Sequence, residues 1–318
     1  MKNFIHRHFK ARYLLVLIFL ISQISCSRNK TDNHGERNQT GLFELEPVTF
    51  DSHGSTLHGY FSQAKGEGPH PTMILLHGSP GGNRDVLGLA QAVPVAGWNV
   101  LVFTFRGYYE SEGLSSLKNS VEDVFSALDF LKSDEMIAKY GIDNKHFAVA
   151  GWSYGGDIAL TAAANNSSIQ YVISIAAADI SEIARMARQN EEFKEMFVNE
   201  LNDRRTEGLV KSAGGLEQLH ELLEDSDKYD IVKHAKKLAD KSILIIGGWQ
   251  DQSSTLEGHV LPLIRALQQE GADHVDKVIL DANHLFEGKR TELADVIIEW
   301  LEENLRLQVQ MAKIKGFA

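Results

Sequence analysis

The sequence predicts one α/β domain built around a mostly parallel sheet. Six short apolar runs rich in β-branched residues recur along the chain, and helical patterns separate nearly all of them. Such runs are typical of strands buried on both faces, and their alternation with helices is typical of a parallel sheet covered by helices. The strand candidates are 72–78, 98–107, 146–153, 171–179, 242–248 and 276–281.

A β-hairpin is predicted ahead of these strands. The stretch VTFDSHGSTLHGYFSQA contains two β-rich runs that flank a turn at His53-Gly54. Two such runs around a short Gly-containing turn indicate an antiparallel pair. We therefore expect the sheet to begin with a hairpin.

Five helices are predicted between and after the strands, over 85–96, 120–140, 154–165, 256–270 and 290–306. In the second of them, Ser120 and Asp123 have the spacing of a capping box, and Gly141 is placed to end the helix. These features predict one helix that begins at Ser120.

One segment, about 180–240, interrupts the alternation. It is mostly charged, helix-favouring sequence with no strand candidate, and Gly214-Gly215 punctuates it. Its apolar residues recur at helical spacings, which predicts a helical insertion. The insertion either packs on the sheet or forms a cap over a site.

Composition limits the classes of function. The chain has 318 residues, 43% of them hydrophobic, and 32 basic against 43 acidic residues give a net charge of −11. This acidity argues against a nucleic-acid partner, because phosphate contacts need clustered Lys and Arg. The sequence has no H-E-x-x-H motif, no cysteine pair and no Walker-type loop, so we expect neither a metal nor a cofactor.

The N-terminus predicts export. Lys2, Arg7, Lys10 and Arg12 precede an uncharged apolar run over 13–21, which is typical of a signal peptide, here residues 1–25. The apolar run is shorter than the roughly 20 residues that a membrane-spanning helix needs.

Cys26, the only cysteine, follows the predicted signal peptide in ISQISCS. The stretch resembles a bacterial lipoprotein signal, in which the cysteine becomes the lipidated first residue, although Gln23 stands where Leu is usual. Cleavage by ordinary signal peptidase near the same place is the alternative. The first case predicts a membrane-anchored lipoprotein, with Cys26 as the only membrane contact, and the second a periplasmic or secreted protein.

The remaining boundaries follow from composition. Residues 27–40 contain no apolar side chain, so 26–41 is predicted to be a flexible polar tether. The folded domain is expected over 42–306, and residues 307–318 form a C-terminal tail.

GWSYGG, residues 151–156, is the main candidate for chemistry. A strand candidate leads into this motif and a helix candidate leads out of it, which is the context of a nucleophile elbow. At such a turn Ser153 is held in a strained backbone conformation, and Gly151, Gly155 and Gly156 avoid clashes that any Cβ would create. Ser153 is therefore the candidate nucleophile.

A serine nucleophile needs a base and a group that orients the base. Asp251 and His284 each lie just beyond the carboxyl end of a strand candidate, where sites gather in α/β sheets. From the residues alone, Asp179 and Asp281 are alternatives to Asp251. The chain order Ser153, Asp251, His284 is that of the α/β-hydrolase triad and favours Asp251.

The oxyanion of an acyl-transfer reaction needs two N–H donors. One is expected from Tyr154, the residue after the nucleophile, and the other from the loop HGSPGG after the first parallel strand, with Ser79 as the donor. His77 is expected to support this loop rather than act as a base.

These motifs resemble those of the α/β-hydrolase superfamily, and in the same order: HGSPGG, FRGYYESEG (105–113), GWSYGG, and the loops of Asp251 and His284. The resemblance covers most of 48–305 and implies an α/β-hydrolase fold with a serine nucleophile. FRGYYESEG resembles a loop that is structural in the family, with Tyr109 where a glycine is usual. GWSYGG is similar to the elbow of prolyl oligopeptidase-like peptidases. However, no part of the sequence corresponds to their N-terminal propeller, and Asp157 stands where they often have Tyr.

The predicted function is that of an exported serine hydrolase acting on a small-molecule ester. A peptidase or aminopeptidase-like amide hydrolase is the alternative that GWSYGG suggests, and a binding protein on an inactive hydrolase fold is the second. Trp152, Trp249 and Phe286 adjoin the candidate catalytic positions. Each of these aromatic residues either lines a substrate pocket or packs against the sheet.

Overall fold

The computed structural model describes residues 44–82 and 84–315. Its strands are β1 (Leu45–Ser52), β2 (Ser55–Ser62), β3 (His70–Leu76), β4 (Asn99–Phe103), β5 (Ile142–Trp152), β6 (Tyr171–Ile175), β7 (Ser242–Gly248) and β8 (Val275–Leu280). They form one eight-stranded sheet in the order β1-β2-β4-β3-β5-β6-β7-β8. The pairs β1/β2 and β2/β4 are antiparallel and the other pairs are parallel. The predicted hairpin and mostly parallel sheet are both confirmed.

The helices that connect the strands cover both faces of the sheet. They are α1 (Leu89–Ala92), α2 (Leu117–Leu131), α3 (Asp134–Tyr140), α4 (Tyr154–Asn165), α5 (Ile180–Gln189), α6 (Glu191–Thr206), α7 (Gly215–Asp225), α8 (Ala235–Leu238), α9 (Leu261–Gln269) and α10 (Arg290–Lys315). The buried apolar residues form two clusters, one containing Ile74 and Val149 and the other containing Leu75 and Ala150. Since neighbours on a strand point to opposite faces, each cluster lies on one face of the sheet. This is the α/β-hydrolase fold.

The predicted helix over 120–140 is wrong in two respects. It begins at Leu117, because the Ser116 hydroxyl accepts a hydrogen bond from the Asn119 amide at 3.1 Å and caps the helix. It also divides, because Ser133 caps α3 in the same way. Ser120 and Asp123 lie inside α2 and form no capping box. The end at Gly141, in the left-handed conformation, is confirmed.

Other predicted boundaries also shift. The helix over 85–96 is reduced to α1 followed by a 3₁₀ turn at Val93–Ala96, and the predicted helix over 256–270 begins with a π turn at Leu256–Val260. Pro262, which has no N–H to donate, stands where α9 begins. The last helix continues to Lys315, beyond the predicted domain end at 306. By contrast, α4 has the bounds that were predicted.

The segment between β6 and β7 forms the predicted helical insertion, with α5 to α8 along its length. Its described part makes one isolated bridge to the body of the domain, between Val210 and Tyr108. Beside this bridge, the Tyr109 amide donates to the Leu209 carbonyl at 3.1 Å and the Lys211 amide to the Gly107 carbonyl at 2.6 Å. The insertion is therefore fastened to the loop that follows β4.

The N-terminal predictions, namely the signal peptide, Cys26 and the tether over 26–41, fall outside the described residues. Among the residues that the structure does describe, no helix is long and apolar enough to cross a membrane.

Candidate active site

Ser153 lies at the sharp turn between β5 and α4. Its φ of 55° and ψ of −119° are strained for a residue with a side chain. The turn requires glycine on both sides, because a Cβ on Gly151 would lie 2.0 Å from the Gly155 carbonyl oxygen and one on Gly155 would lie 2.6 Å from the His77 carbonyl oxygen. The local sequence thus forces the Ser153 hydroxyl out of the end of the sheet.

His284 and Asp251 lie next to Ser153 in one hydrogen-bonded row. The His284 Nε2 atom is 3.0 Å from the Ser153 hydroxyl, and Nδ1 is 2.7 Å from a carboxylate oxygen of Asp251. The second carboxylate oxygen of Asp251 accepts hydrogen bonds at 2.8 Å from the amides of Ser253 and Ser254. Asp251 is buried, and four hydrogen-bond contacts fix the row from Ser153 to Ser254.

The two alternatives to Asp251 have other partners. The Asp179 carboxylate caps α5 through the amides of Ser181 and Glu182. Asp281 accepts a hydrogen bond from the Gln250 side chain at 2.8 Å. Of the three candidate acids, Asp251 is therefore the one that the structure places against His284.

Trp152 supports this row from the end of β5. Its indole N–H donates to the main-chain oxygen of His284 at 2.9 Å, and the two ring centroids are 5.1 Å apart. A Cβ on Gly78 would approach the Trp152 ring to 2.8 Å, so the indole also lies directly against the HGSPGG loop. Trp152 consequently contacts the loops of both His284 and Ser79.

The HGSPGG loop passes beside Ser153. A Cβ on Gly78 would lie 3.4 Å from the Ser153 Cβ, so the residue just before Ser79 lies against the nucleophile. Tyr154 is the first residue of α4, where the amides of the first turn have no acceptor within the helix. Tyr154 thus follows Ser153 directly, and Ser79 follows the glycine that lies against it.

His77 lies inside this loop in a form that cannot serve as the base. It is fully buried, and burial lowers its pKa to about 4. Nε2 accepts a hydrogen bond from the Phe105 amide at 3.4 Å, so Nδ1 carries the hydrogen and donates it to the Gly78 carbonyl at 2.5 Å. A neutral ring of fixed tautomer holds the loop, in agreement with the expected supporting role.

Two residues at this site were missed by sequence reasoning. The Tyr108 hydroxyl lies 3.0 Å from the Ser79 hydroxyl, and its ring is stacked on Tyr154 with centroids 6.5 Å apart. Arg204, from the insertion, donates to the Ser79 hydroxyl at 2.9 Å. Tyr108 belongs to the FRGYYESEG motif, which could have drawn attention to it, but Arg204 stands in no motif.

Arg106, in the same motif, is structural as the resemblance implies. Its side chain and main-chain N–H both donate to Asp123, and the guanidinium also donates to Glu122 at 2.8 Å. Asp123 is fully buried and further accepts a hydrogen bond from Ser52 at 2.6 Å. This cluster ties the loop after β4 to α2.

The three predicted pocket residues have different surroundings. Trp249 is 71% exposed and Trp152 is partly buried between the two active-site loops. The prediction that Phe286 lines the substrate pocket is wrong. Its ring is completely buried in one of the two hydrophobic clusters on the sheet and so cannot line an open pocket. Among the described residues there is no group of three or more His, Cys, Asp or Glu arranged to hold a metal ion.

The fold and the family comparison together define an α/β-hydrolase of the serine hydrolase class. A sequence model of the prolyl oligopeptidase family matches residues 108–308, and the chain belongs to that family.

The solved structures that resemble this fold include peptidases and esterases. An acylaminoacyl peptidase from Pyrococcus horikoshii is 18% identical with a TM-score of 0.61, covering 83% of this chain and 42% of its own. Est1E from Butyrivibrio proteoclasticus, solved with bound ferulic acid, is 18% identical with a TM-score of 0.62. The match covers 81% of this chain and 99% of Est1E. At these identities the likeness concerns the fold.

A sequence relative from Escherichia coli, an uncharacterized 31.7 kDa protein in the traX-finO intergenic region, is 28% identical over 146 residues. The match covers 45% of this chain and 49% of that protein, so the chain spans about half the length of this relative.

Proposed function

We propose that the protein is an exported serine hydrolase that cleaves carboxylic esters through an acyl-enzyme. The observation that carries this proposal is the row Ser153–His284–Asp251, with contacts of 3.0 and 2.7 Å, at the carboxyl ends of β5, β8 and β7. A nucleophile, a base and an acid that orients the base are the parts that acyl transfer requires.

In the proposed acylation, the Ser153 hydroxyl attacks the ester carbonyl and His284 Nε2 takes its proton. The amides of Ser79 and Tyr154 donate to the oxyanion of the tetrahedral intermediate. Asp251 holds the His284 ring with Nδ1–H towards it and stabilises the imidazolium. His284 then gives its proton to the leaving alcohol as the carbon–oxygen bond breaks.

Deacylation repeats the same steps with water. His284 takes a proton from the attacking water, the second tetrahedral intermediate collapses, and the proton returns to the Ser153 oxygen as the acid leaves. No cofactor or metal takes part in either half of the cycle.

A peptidase activity is the second candidate, and membership of the prolyl oligopeptidase family favours it. Esters stand first because an alcohol leaves with less demand for protonation than an amine. An inactive fold that only binds a ligand is the third, and it leaves the strained Ser153 backbone without a role.

The substrate class is tested with p-nitrophenyl esters of increasing acyl length beside aminoacyl and peptidyl p-nitroanilides. We expect wild-type protein to hydrolyse esters and Ser153→Ala to lose the activity. Turnover of anilides at a comparable kcat/KM would favour the peptidase, and no turnover of any substrate would favour the binding protein.

Export and lipidation form a separate part of the proposal and are supported by the basic and apolar pattern before Cys26. In cells that express the full chain, Cys26→Ala should move the protein from the membrane fraction to the soluble extract. An unchanged distribution contradicts lipidation, and wild-type protein retained in the cytoplasm contradicts export.

A further inference from the structure

We propose that Arg204 is a positioning residue that holds the Ser79 loop from the helical insertion. This inference rests on the proposed function, because Ser79 matters here as the donor of an oxyanion N–H. It gives the insertion a part in catalysis that is exerted through Ser79, since Arg204 itself is placed on the Ser79 hydroxyl.

The contact itself joins two distant parts of the chain. Arg204 lies in the last turn of α6, and its terminal nitrogen donates to the Ser79 hydroxyl at 2.9 Å across a sequence separation of 125 residues. The same hydroxyl lies 3.0 Å from the Tyr108 hydroxyl. The Ser79 side chain is therefore held from two sides, by the insertion and by the loop after β4.

Arg204 is itself held in place before any substrate binds. Its guanidinium pairs with Glu200, one turn earlier on the helix, and both side chains are about 90% buried. The Arg204 main-chain oxygen accepts hydrogen bonds from the amides of Leu209 and Val210. Val210 forms the bridge to Tyr108, so the end of α6 and the loop after β4 are joined.

The burial of Arg204 has a cost that stability alone does not explain. Its Nε–H is buried without a hydrogen-bond partner among the described residues, and burial of an unpaired donor is unfavourable. A buried ion pair is in addition often no more stable than apolar residues of similar volume. Of the two groups that the guanidinium contacts, Glu200 and Ser79, Ser79 is the one outside the insertion, and this contact explains the arrangement better.

The consequence for the reaction concerns a main-chain atom. An oxyanion donor works because it is fixed in advance at the place where negative charge develops. The Ser79 N–H is fixed only as well as its loop, whose residues 79–81 are partly exposed. Anchoring the Ser79 side chain through Arg204 and Tyr108 restrains the N–H of the same residue.

The test uses the full chain and removes the anchor without leaving a buried charge. In Glu200→Gln/Arg204→Gln both members of the ion pair become neutral, which avoids an unpaired carboxylate. Arg188→Gln is the matched control, since Arg188 joins parts of the insertion through Leu223 and Ser226. Each variant is assayed with a p-nitrophenyl ester and with an aryl trifluoromethyl ketone, which forms a tetrahedral adduct with serine.

We expect Glu200→Gln/Arg204→Gln to lower kcat about 30-fold with KM changed less than about threefold, as for a partly displaced oxyanion donor. Affinity for the ketone should fall by the same factor as kcat/KM. Arg188→Gln should keep the wild-type kcat and the wild-type affinity for the ketone.

A double-mutant cycle with Ser79→Ala separates positioning from general support of the insertion. Ser79→Ala keeps the main-chain N–H but lacks the hydroxyl that Arg204 contacts. In a protein that already carries Ser79→Ala, adding Glu200→Gln/Arg204→Gln should therefore lower kcat less than about threefold. The inference would be overturned if Glu200→Gln/Arg204→Gln lowered kcat by the same factor with and without Ser79→Ala. It would also be overturned if Arg188→Gln lowered kcat equally, or if Glu200→Gln/Arg204→Gln kept the wild-type kcat. A wild type that neither hydrolyses esters nor binds the ketone would overturn the proposed function and this inference together.

Discussion

The indole N–H of Trp152 donates to the main-chain oxygen of His284 at 2.9 Å. This bond joins the residue before the nucleophile to the loop of the candidate base. It therefore couples the position of the imidazole to the end of β5.

Trp152→Phe removes this donor and keeps an aromatic ring. We expect kcat for ester hydrolysis to fall about tenfold, because a small displacement of His284 lengthens its contact with Ser153. Trp300→Phe is the matched control, since Trp300 also loses an indole hydrogen bond, to Asp276 at 2.8 Å on β8. Equal kcat losses in the two variants would show that the Trp152 bond has no special relation to His284.

Gly151→Ala tests the steric requirement of the elbow. The added Cβ would lie 2.0 Å from the Gly155 carbonyl oxygen, a contact that needs the strand or the helix to move. We expect the free energy of unfolding in urea to fall by more than about 3 kcal/mol. Gly271→Ala, at φ +74° with no atom within 4 Å of the added Cβ, should cost about 1 kcal/mol. Similar losses at both positions would contradict the account of the turn.

Arg106→Gln leaves the fully buried Asp123 without its cation. We expect a loss of about 3 kcal/mol in the free energy of unfolding at neutral pH, which is the usual cost of an unpaired buried charge. Burial raises the pKa of Asp123, so the loss should shrink in acid as the carboxyl becomes neutral. The ion pair of Arg185 and Glu182, whose side chains are 51% and 20% exposed, provides the comparison, and Arg185→Gln should change stability by less than about 1 kcal/mol.

Titration of the buried Asp179 makes the free energy of unfolding depend on pH. Burial raises its pKa to about 6, above the value of about 3.9 that is usual for an unfolded chain. The folded state therefore binds this proton more tightly, and the resulting stability is present in acid and lost as the pH rises through about 6. Relative to Asp179→Asn, wild-type protein should lose about 2 kcal/mol between pH ~4 and pH ~7. Parallel pH curves for the two proteins would contradict this, and Asp273→Asn, at an exposed position, is the control.

The sequence predicts the sheet and the grouping of Ser153, Asp251 and His284 for a common physical reason. Buried parallel strands produce continuous apolar runs, and their carboxyl ends meet at one edge of the sheet. Residues just after such runs are therefore neighbours even when far apart in the chain. The elbow is equally local, because its glycines and Ser153 are consecutive.

Other features depend on tertiary contacts that no local pattern encodes. Phe286 lies two residues after His284, yet its backbone has a φ of 51° and its ring is in the core rather than at the site. Arg204 meets Ser79 across 125 residues from the last turn of a charged helix, where the sequence does not distinguish it from the neighbouring Arg205. The separation of α2 from α3 depends on capping by Ser133, within a stretch that is otherwise uniformly helix-favouring.

The central claim, that Ser153 is a nucleophile activated by His284 and Asp251, is tested most directly by labelling the protein with a fluorophosphonate and mapping the modified peptide. We expect one label, on Ser153 in wild-type protein, none on that peptide in Ser153→Ala, and labelling slowed by at least about 100-fold in His284→Asn. A folded wild type that remains unlabelled, or a label that persists unchanged in Ser153→Ala, would contradict the claim.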